Sequence, residues 1–445
     1  MRDSFRSFYP LNESDFADLW QHGAICLDAN VLLNIYRYPE SARSELLDVM
    51  QAIKDRLWVP HHAALEFHRN RLHVIADQKS RFSQVREIVT SGRNRIESDL
   101  SKLKLKERHS SIDPALLLST FDETIGAFFE RIGRFEKEHI DVHSDDVLLE
   151  RITDILDGRI GPAPSKEELT TITSWAERRF SVGMPPGYED KGKDGSKSPA
   201  YTYGGRTYEA KYGDAIIWWQ ILEFAKTQKP DGLIFVTDDA KPDWWNIVSS
   251  SGPKTIGPRQ ELIDEMATVG TVERFWMYST YRFLDNAKVG IGSTVSSETI
   301  RRVKDISHTL ELDQALEPDK LYDLVERYLR LKYPAYVIKR DFMPDFVLGD
   351  IFGEDDFGVE VIAARSGRPM LPAIRSRAQA IIEDCDPKAI VHVDLYIICA
   401  NIAVADDVRS AMSRVELTHY INAKVMVTVP DREGQITIVD RSDLQ

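Results

Sequence analysis

The sequence predicts an α/β fold: a parallel sheet flanked by helices, carrying a large helical insertion and followed by a second, smaller α/β domain. Three observations carry this reading. Over residues 24–76 short apolar runs alternate with helical periodicity, and the order strand, helix, strand, helix makes a parallel sheet. Residues 79–180 are charged and helical in pattern, without strand-like alternation. Beyond residue 316 the mixture of strand and helix signals begins again.

Taken in order, the possible caps Asn12 and Ser14 open an amphipathic helix over 12–21, with Phe16, Leu19 and Trp20 at helical spacing. Residues 24–28 form a buried strand that ends on Asp28 and restarts at once as helical pattern over 31–36. Pro39 opens a helix to about residue 54, with Leu46, Leu47, Met50 and Ile53 on one face. A second short strand covers 57–60 and a further helix 63–76. After the helical insertion, 181–205 is rich in glycine and proline and reads as a flexible loop. Helix resumes over 213–225, a strand covers 233–237, and 275–278 is the last strand of a first domain spanning 1–285. A small, polar run near Gly290 marks a linker, 286–315, with a short helix at 298–307. The domain 316–445 then reads as a helix to Leu331, strands near 335–340, 343–348 and 357–363, a helix at 372–384, an apolar strand at 390–399, a helix at 404–414 and a strand pair near 423–429 and 435–439.

Composition bounds the function. At 445 residues, 42% hydrophobic and 29% charged, the chain reads as soluble, globular and multidomain. No apolar run approaches the ~20 residues that span a bilayer, and no signal-peptide core follows Met1, so a cytoplasmic protein without a membrane partner is expected. Cys26, Cys385 and Cys399 are too dispersed for a disulfide framework or a structural zinc site. A net charge of −14 argues against a general nucleic-acid coat protein, yet fits a metal-dependent nuclease whose basic groups are local.

Four clusters of acids fall at predicted strand ends or helix starts: Asp28, Glu66, Asp214, and Asp238 with Asp239, Asp243 lying just beyond. In a parallel sheet all these positions face one edge, so acids far apart in sequence can converge. Converging carboxylates repel unless a cation sits among them, and oxygen-only ligands suit Mg²⁺ or Mn²⁺. Such a site supports phosphoryl hydrolysis. Taken singly, each acid also reads as a cap or helix-dipole partner.

The runs 27–33, the Glu66 helix, Tyr212-Gly213-Asp214 and Val236-Thr237-Asp238-Asp239 together resemble a PIN-like nuclease domain. The closest likeness is to the bacterial PIN-like branch with a long helical insertion. Pro185-Pro186-Gly187-Tyr188, Gly213-Asp214-Ala215-Ile216-Ile217-Trp218 and Asp239-Ala240-Lys241-Pro242-Asp243-Trp244-Trp245 carry it, over roughly residues 20–285. The resemblance implies a Mg²⁺- or Mn²⁺-dependent phosphodiesterase, usually acting on RNA, with Asp28, Glu66 and Asp214 as metal ligands and Asp239 as the fourth acid. Asp238 and Asp243 are further ligand candidates, and Asn30 and Thr237 resemble polar residues that orient the carboxylates.

Arg69, Arg71, Lys211 and Lys241 lie near these acids in sequence, and Lys191, Lys193 and Lys197 on the loop, where they could meet substrate phosphates. Tyr201, Tyr203 and Tyr208 offer either base stacking or loop packing. His61, His62 and His68 show no zinc spacing and read as packing or surface groups, and Trp218, Trp219, Trp244 and Trp245 as core.

In the tail, Pro344-Asp345 on one strand and Glu360 on the next resemble the restriction-endonuclease-like core, but Ile362 stands where its lysine belongs. Arg365 and Lys339 are spatial substitutes to consider, and a non-catalytic binding or self-association role is expected. The reading is therefore a metal-dependent endonuclease acting on nucleic acid, RNA in preference to DNA, with a toxin-like or phage-defence role by analogy of architecture. A structure-selective DNA nuclease and an inactive nucleic-acid-binding or assembly scaffold are the alternatives.

Overall fold

A computed structural model describes the chain except for residues 2–3, 105–112, 191–198, 250–252, 316–317, 341–343, 350–355, 365–369, 385–389, 400–403, 407, 410–420, 431–435 and 441–445. Lys191, Lys193, Lys197, Arg365 and Cys385 thus lie outside the described residues. The order begins α1 (Glu13–His22), β1 (Ala24–Leu27), α2 (Ala29–Asn34), α3 (Glu40–Ala52), β2 (Leu57–Trp58) and α4 (His61–Lys102). Helices α5 (Pro114–Glu138), α6 (Val147–Leu156) and α7 (Lys166–Ser181) follow, then β3 (Ala200–Tyr203), β4 (Arg206–Glu209), α8 (Gly213–Gln228) and β5 (Leu233–Val236). Next come β6 (Trp245–Ser249), β7 (Pro253–Pro258), α9 (Gln260–Thr268), β8 (Phe275–Tyr278), α10 (Thr280–Gly290) and α11 (Ser297–Ala315). The tail holds α12 (Pro318–Lys332), β9 (Val337–Arg340), β10 (Phe346–Gly349), β11 (Phe357–Ala364), α13 (Met370–Asp384), β12 (Val393–Cys399), β13 (Ile421–Pro430) and β14 (Ile436–Asp440).

These elements form two compact units. The first comprises Met1–Glu177, Gly213–Asp239 and Ile263–Val303. The second comprises Arg178–Tyr212, Ala240–Leu262 and Lys304–Gln445.

The first unit is built on a four-stranded parallel sheet of order β2-β1-β5-β8. Every residue of β1 and β5 is buried, as strands covered on both faces must be. Asn12 caps α1: its side chain accepts the Asp15 N–H, and the Asp15 carboxylate accepts the Asn12 N–H in return. Trp20 then anchors α1, stacking on Phe283 at 5.2 Å and donating its indole N–H to the Tyr278 hydroxyl at 3.3 Å.

Helix α4 runs for 42 residues, about 63 Å, well past the end near residue 76 that periodicity suggested. No glycine or proline interrupts it before Gly92, and α5 supplies partners for its second half. Arg86 pairs with Glu136 at 2.6 Å, Arg93 with Asp122 at 2.7 Å, and the Phe82 ring meets His139 edge-on.

In the second unit, β3 and β4 pair antiparallel, so the stretch read as a flexible loop ends in a hairpin. A second hairpin, β6–β7, had no counterpart in the sequence reading; its prolines sit at the ends of a two-stranded ribbon, where a missing N–H costs no ladder bond. The tail forms a six-stranded sheet of order β14-β13-β12-β11-β10-β9, with β11, β12 and β13 parallel and the outer pairs antiparallel. Ile374 and Ile381 of α13 pack into one core of this sheet, Leu321, Val325 and Leu329 of α12 into the other.

Trp20→Ala should lower the unfolding free energy by about 3–5 kcal/mol through loss of its aromatic contacts. Chemical denaturation measures it, and an unchanged midpoint would contradict the anchoring role.

Candidate active site

At the carboxyl edge of the first unit's sheet, the strand ends are stitched together around Asp28. The Asp28 N–H donates to the Val236 carbonyl at 3.0 Å, extending the β1–β5 ladder by one residue. Its side chain caps α2, Oδ1 accepting the Ala29 N–H at 2.7 Å. Oδ2 accepts the Thr237 hydroxyl at 2.6 Å and the Asn30 amide at 2.8 Å. Thr237 Oγ1 accepts in turn from the Asp239 N–H at 3.1 Å, and Asn30 Oδ1 from the Asp238 N–H at 3.0 Å.

Asp28 is 7% exposed, and burial pushes its carboxyl up to about 7. The Thr237 hydrogen bond opposes that rise, while the charges of Asp214 and Asp239 add to it. Three acids from three chain segments therefore act on one another electrostatically here.

Glu66 lies in the second turn of α4, and α8 approaches it closely. A Cβ added at Gly213, the first residue of α8, would stand 2.9 Å from Glu66 Oε1, so a side chain there would push the Glu66 carboxylate aside. His62, one turn before Glu66, is fully buried with Nε2 3.5 Å from the same oxygen. Burial first, then the neighbouring His61, lowers the His62 imidazole to about 3, so it is neutral near pH 7. Its backbone N–H donates to Gln220 Oε1 of α8 at 3.0 Å. His62 reads as a packing group from sequence; its i, i+4 spacing from Glu66 was the available signal.

Asp238 accepts the Thr280 N–H, the Thr280 hydroxyl and the Asn34 amide, each at 2.8 Å, and so fastens the start of α10 to α2. Arg71 pairs with Asp146, whose carboxylate also accepts the Tyr36 hydroxyl and caps α6 through the Leu149 N–H; Arg69 is exposed. Arg37 donates to Asn34 Oδ1 at 2.8 Å.

Asp243, Lys211 and Lys241 belong to the second unit. Asp243 is wholly buried and accepts the N–H groups of Gly187 and Glu189 at 2.7 and 3.3 Å. Lys241 pairs with Asp190 at 3.2 Å, and Lys211 with Glu209 at 3.4 Å while lying 4.8 Å from the Tyr212 ring centre. Tyr201 stacks on Tyr208 at 5.4 Å.

The donor set at the sheet edge is carboxylate oxygen, which suits a hard divalent cation. Among the described residues no group of three or more His, Cys, Asp or Glu side chains stands in a metal-holding arrangement. The chemistry of the donors fits such an ion.

The tail pair is arranged differently. The Asp345 N–H donates to Glu360 Oε2 at 2.9 Å and the Val361 N–H to Asp345 Oδ2 at 2.8 Å. Arg377 of α13 pairs with Glu360 and reaches Asp345 at 3.5 Å. Burial, then the Asp345 charge, raises Glu360 to about 7 against the pull of Arg377. Sequence reading missed Arg377 because it lies on a helix, not on the strand that carries Ile362.

A family model described as a PIN like domain matches residues 24–262, more than half of the chain. No curated protein and no solved structure matches it.

The raised Asp28 carboxyl makes a signed prediction. A folded pKa above the unfolded one contributes stability that is complete below about pH 4 and is lost as pH rises through about 7. In EDTA at about pH 8, Asp28→Asn should therefore unfold at a higher temperature than wild type, by a few degrees, with the gap closing toward pH 4. A gap independent of pH in thermal unfolding would contradict this.

Proposed function

The chain belongs to the PIN-like domain family, and from that premise we propose that it is a divalent-metal-dependent endonuclease acting on RNA. PIN-like domains are in general nucleases, which already makes the chain a nuclease that meets nucleic acid. The observation that carries the finer reading is Asp28, a buried strand-end carboxyl raised by burial and by the charges of Asp214 and Asp239. A site that crowds acids in this way gains most when a cation enters.

Asp28, Glu66, Asp214 and Asp239 would hold Mg²⁺ or Mn²⁺. When bound, such an ion neutralises charge on the scissile phosphate and makes water a better nucleophile. Thr237 and Asn30 fix the orientation of Asp28 through their hydrogen bonds to Oδ2. Gly213, next to Asp214 at the start of α8, lies against the Glu66 side chain, which supports a role for both acids in one site. Asp238 serves as a clamp between α2 and α10, since its oxygens are taken up by Thr280 and Asn34. Exposed Arg69, three residues beyond Glu66 on the same helix, meets substrate phosphate, whereas Arg71 is held by Asp146. The second half of α4 with helices α5, α6 and α7, about residues 79–180, constitutes the insertion of the PIN-like domain.

The tail recognises a partner or self-associates and does not cleave, because Arg377 supplies internally the positive charge that Asp345 and Glu360 would otherwise draw from an ion. Among the described residues no helix is long and apolar enough to cross a membrane. A cytoplasmic toxin-like or phage-defence effector fits a nuclease joined to such an accessory domain.

Labelled single-stranded RNA, tRNA and DNA, each with Mn²⁺ or EDTA, test this reading. Wild type should cut RNA with Mn²⁺ only, and Asp28→Asn should not cut. Cleavage of DNA alone would replace the substrate class, and EDTA-resistant cleavage would remove the metal. Thr237→Val should lower the rate about 10–100-fold. Asp345→Ala and Glu360→Ala should leave it unchanged, and lost cleavage in a folded tail variant would overturn the assignment of the tail.

A further inference from the structure

The opposite, amino edge of the first unit's sheet opens into a cleft of about 760 Å³. Ala24 and Leu57, the first residues of β1 and β2, line it, so it lies one strand length from the acids. Its volume falls among those of small-molecule sites.

Aromatic rings supply much of the lining. Trp58 and Phe224 stack with centroids 4.3 Å apart and planes 21° from parallel, and Trp219 of α8 lines the same cleft. The Trp219 indole nitrogen is buried and has no hydrogen-bond partner among the described residues. Buried indole N–H groups ordinarily have an acceptor, because a buried donor left unpaired loses its hydration without recompense. A ligand lone pair would supply it.

The charged lining selects against anions. Arg159 is engaged by Asp55 at 2.8 Å, and Arg56 gives one nitrogen to the carbonyls of Trp20 and Gly23 at 2.8 and 3.0 Å. With Glu168 and Glu223 the lining holds three carboxylates against these two guanidiniums. A phosphate would enter a field of its own sign, whereas a flat uncharged ring meets an aromatic lining without that penalty.

We propose that this cleft binds an uncharged planar nitrogen heterocycle, of the class of nucleobases and phosphate-free nucleosides, with a ring nitrogen or carbonyl accepting the Trp219 N–H. Binding requires neither the acidic edge nor a metal ion. Gln220 lines the cleft and also accepts the His62 N–H at 3.0 Å, so one side chain borders both this site and the turn that precedes Glu66.

Calorimetric titration of the full-length protein in EDTA with adenosine, guanosine, cytidine and uridine, and with ATP as the charged counterpart of adenosine, tests the assignment. Saturable binding of at least one nucleoside is expected. It should weaken roughly fivefold or more in Trp219→Phe, which keeps a ring and drops the donor, and in Thr227→Trp, which fills the cleft from an exposed position. Thermal unfolding of both variants checks that they remain folded. Absence of saturable nucleoside binding overturns the site, as does binding that neither folded variant weakens. ATP binding more tightly than adenosine overturns the choice of an uncharged ligand.

Discussion

The constraint on which the first unit depends is the burial of one carboxyl group at the end of a strand. Asp28 lies between two ladder bonds' worth of backbone and cannot leave the sheet edge without breaking the β1–β5 pairing. Its charge is tolerated only through the hydroxyl of Thr237, the amide of Asn30 and the first N–H of α2. Those groups come from both sides of the β1–β5 seam. The same hydrogen bonds that hold the acid therefore also join the two loops in which the other polar groups sit, and structure and chemistry share one set of contacts.

The two units meet the problem of crowded carboxylates in contrasting ways. At the sheet edge of the first, the charges that act most on Asp28 are those of Asp214 and Asp239, which share its sign. In the tail, Asp345 and Glu360 are each tied to the other's strand by a backbone N–H, and Arg377 is built in against them. An internal guanidinium offers a permanent, undirected balance; an unfilled demand for positive charge can be met by an exchangeable ion.

Much of the architecture was legible because it rests on local signals. The apolar runs of β1 and β5 are buried on both faces, and their acids necessarily fall at one edge once the strands run parallel. Asn30 and Thr237, polar residues beside those acids in sequence, hydrogen-bond Asp28. What stayed hidden depends on contacts between distant segments. The full length of α4 needs α5 beside it, the β6–β7 ribbon carries no alternation strong enough to announce a strand, and the setting of His62 depends on Gln220 of α8, 158 residues away, which accepts its backbone N–H. Arg377 lies 17 residues beyond Glu360 on the following helix, so its pairing with Glu360 had no motif spacing to betray it.

Anomalous diffraction from a crystal soaked in Mn²⁺ tests the central claim most directly. The account predicts a peak within coordination distance of Asp28 and of at least two among Glu66, Asp214 and Asp239, with their side chains turned toward it. A well-diffracting crystal with no peak at that edge, or with its only protein-bound Mn²⁺ between Asp345 and Glu360, would contradict it.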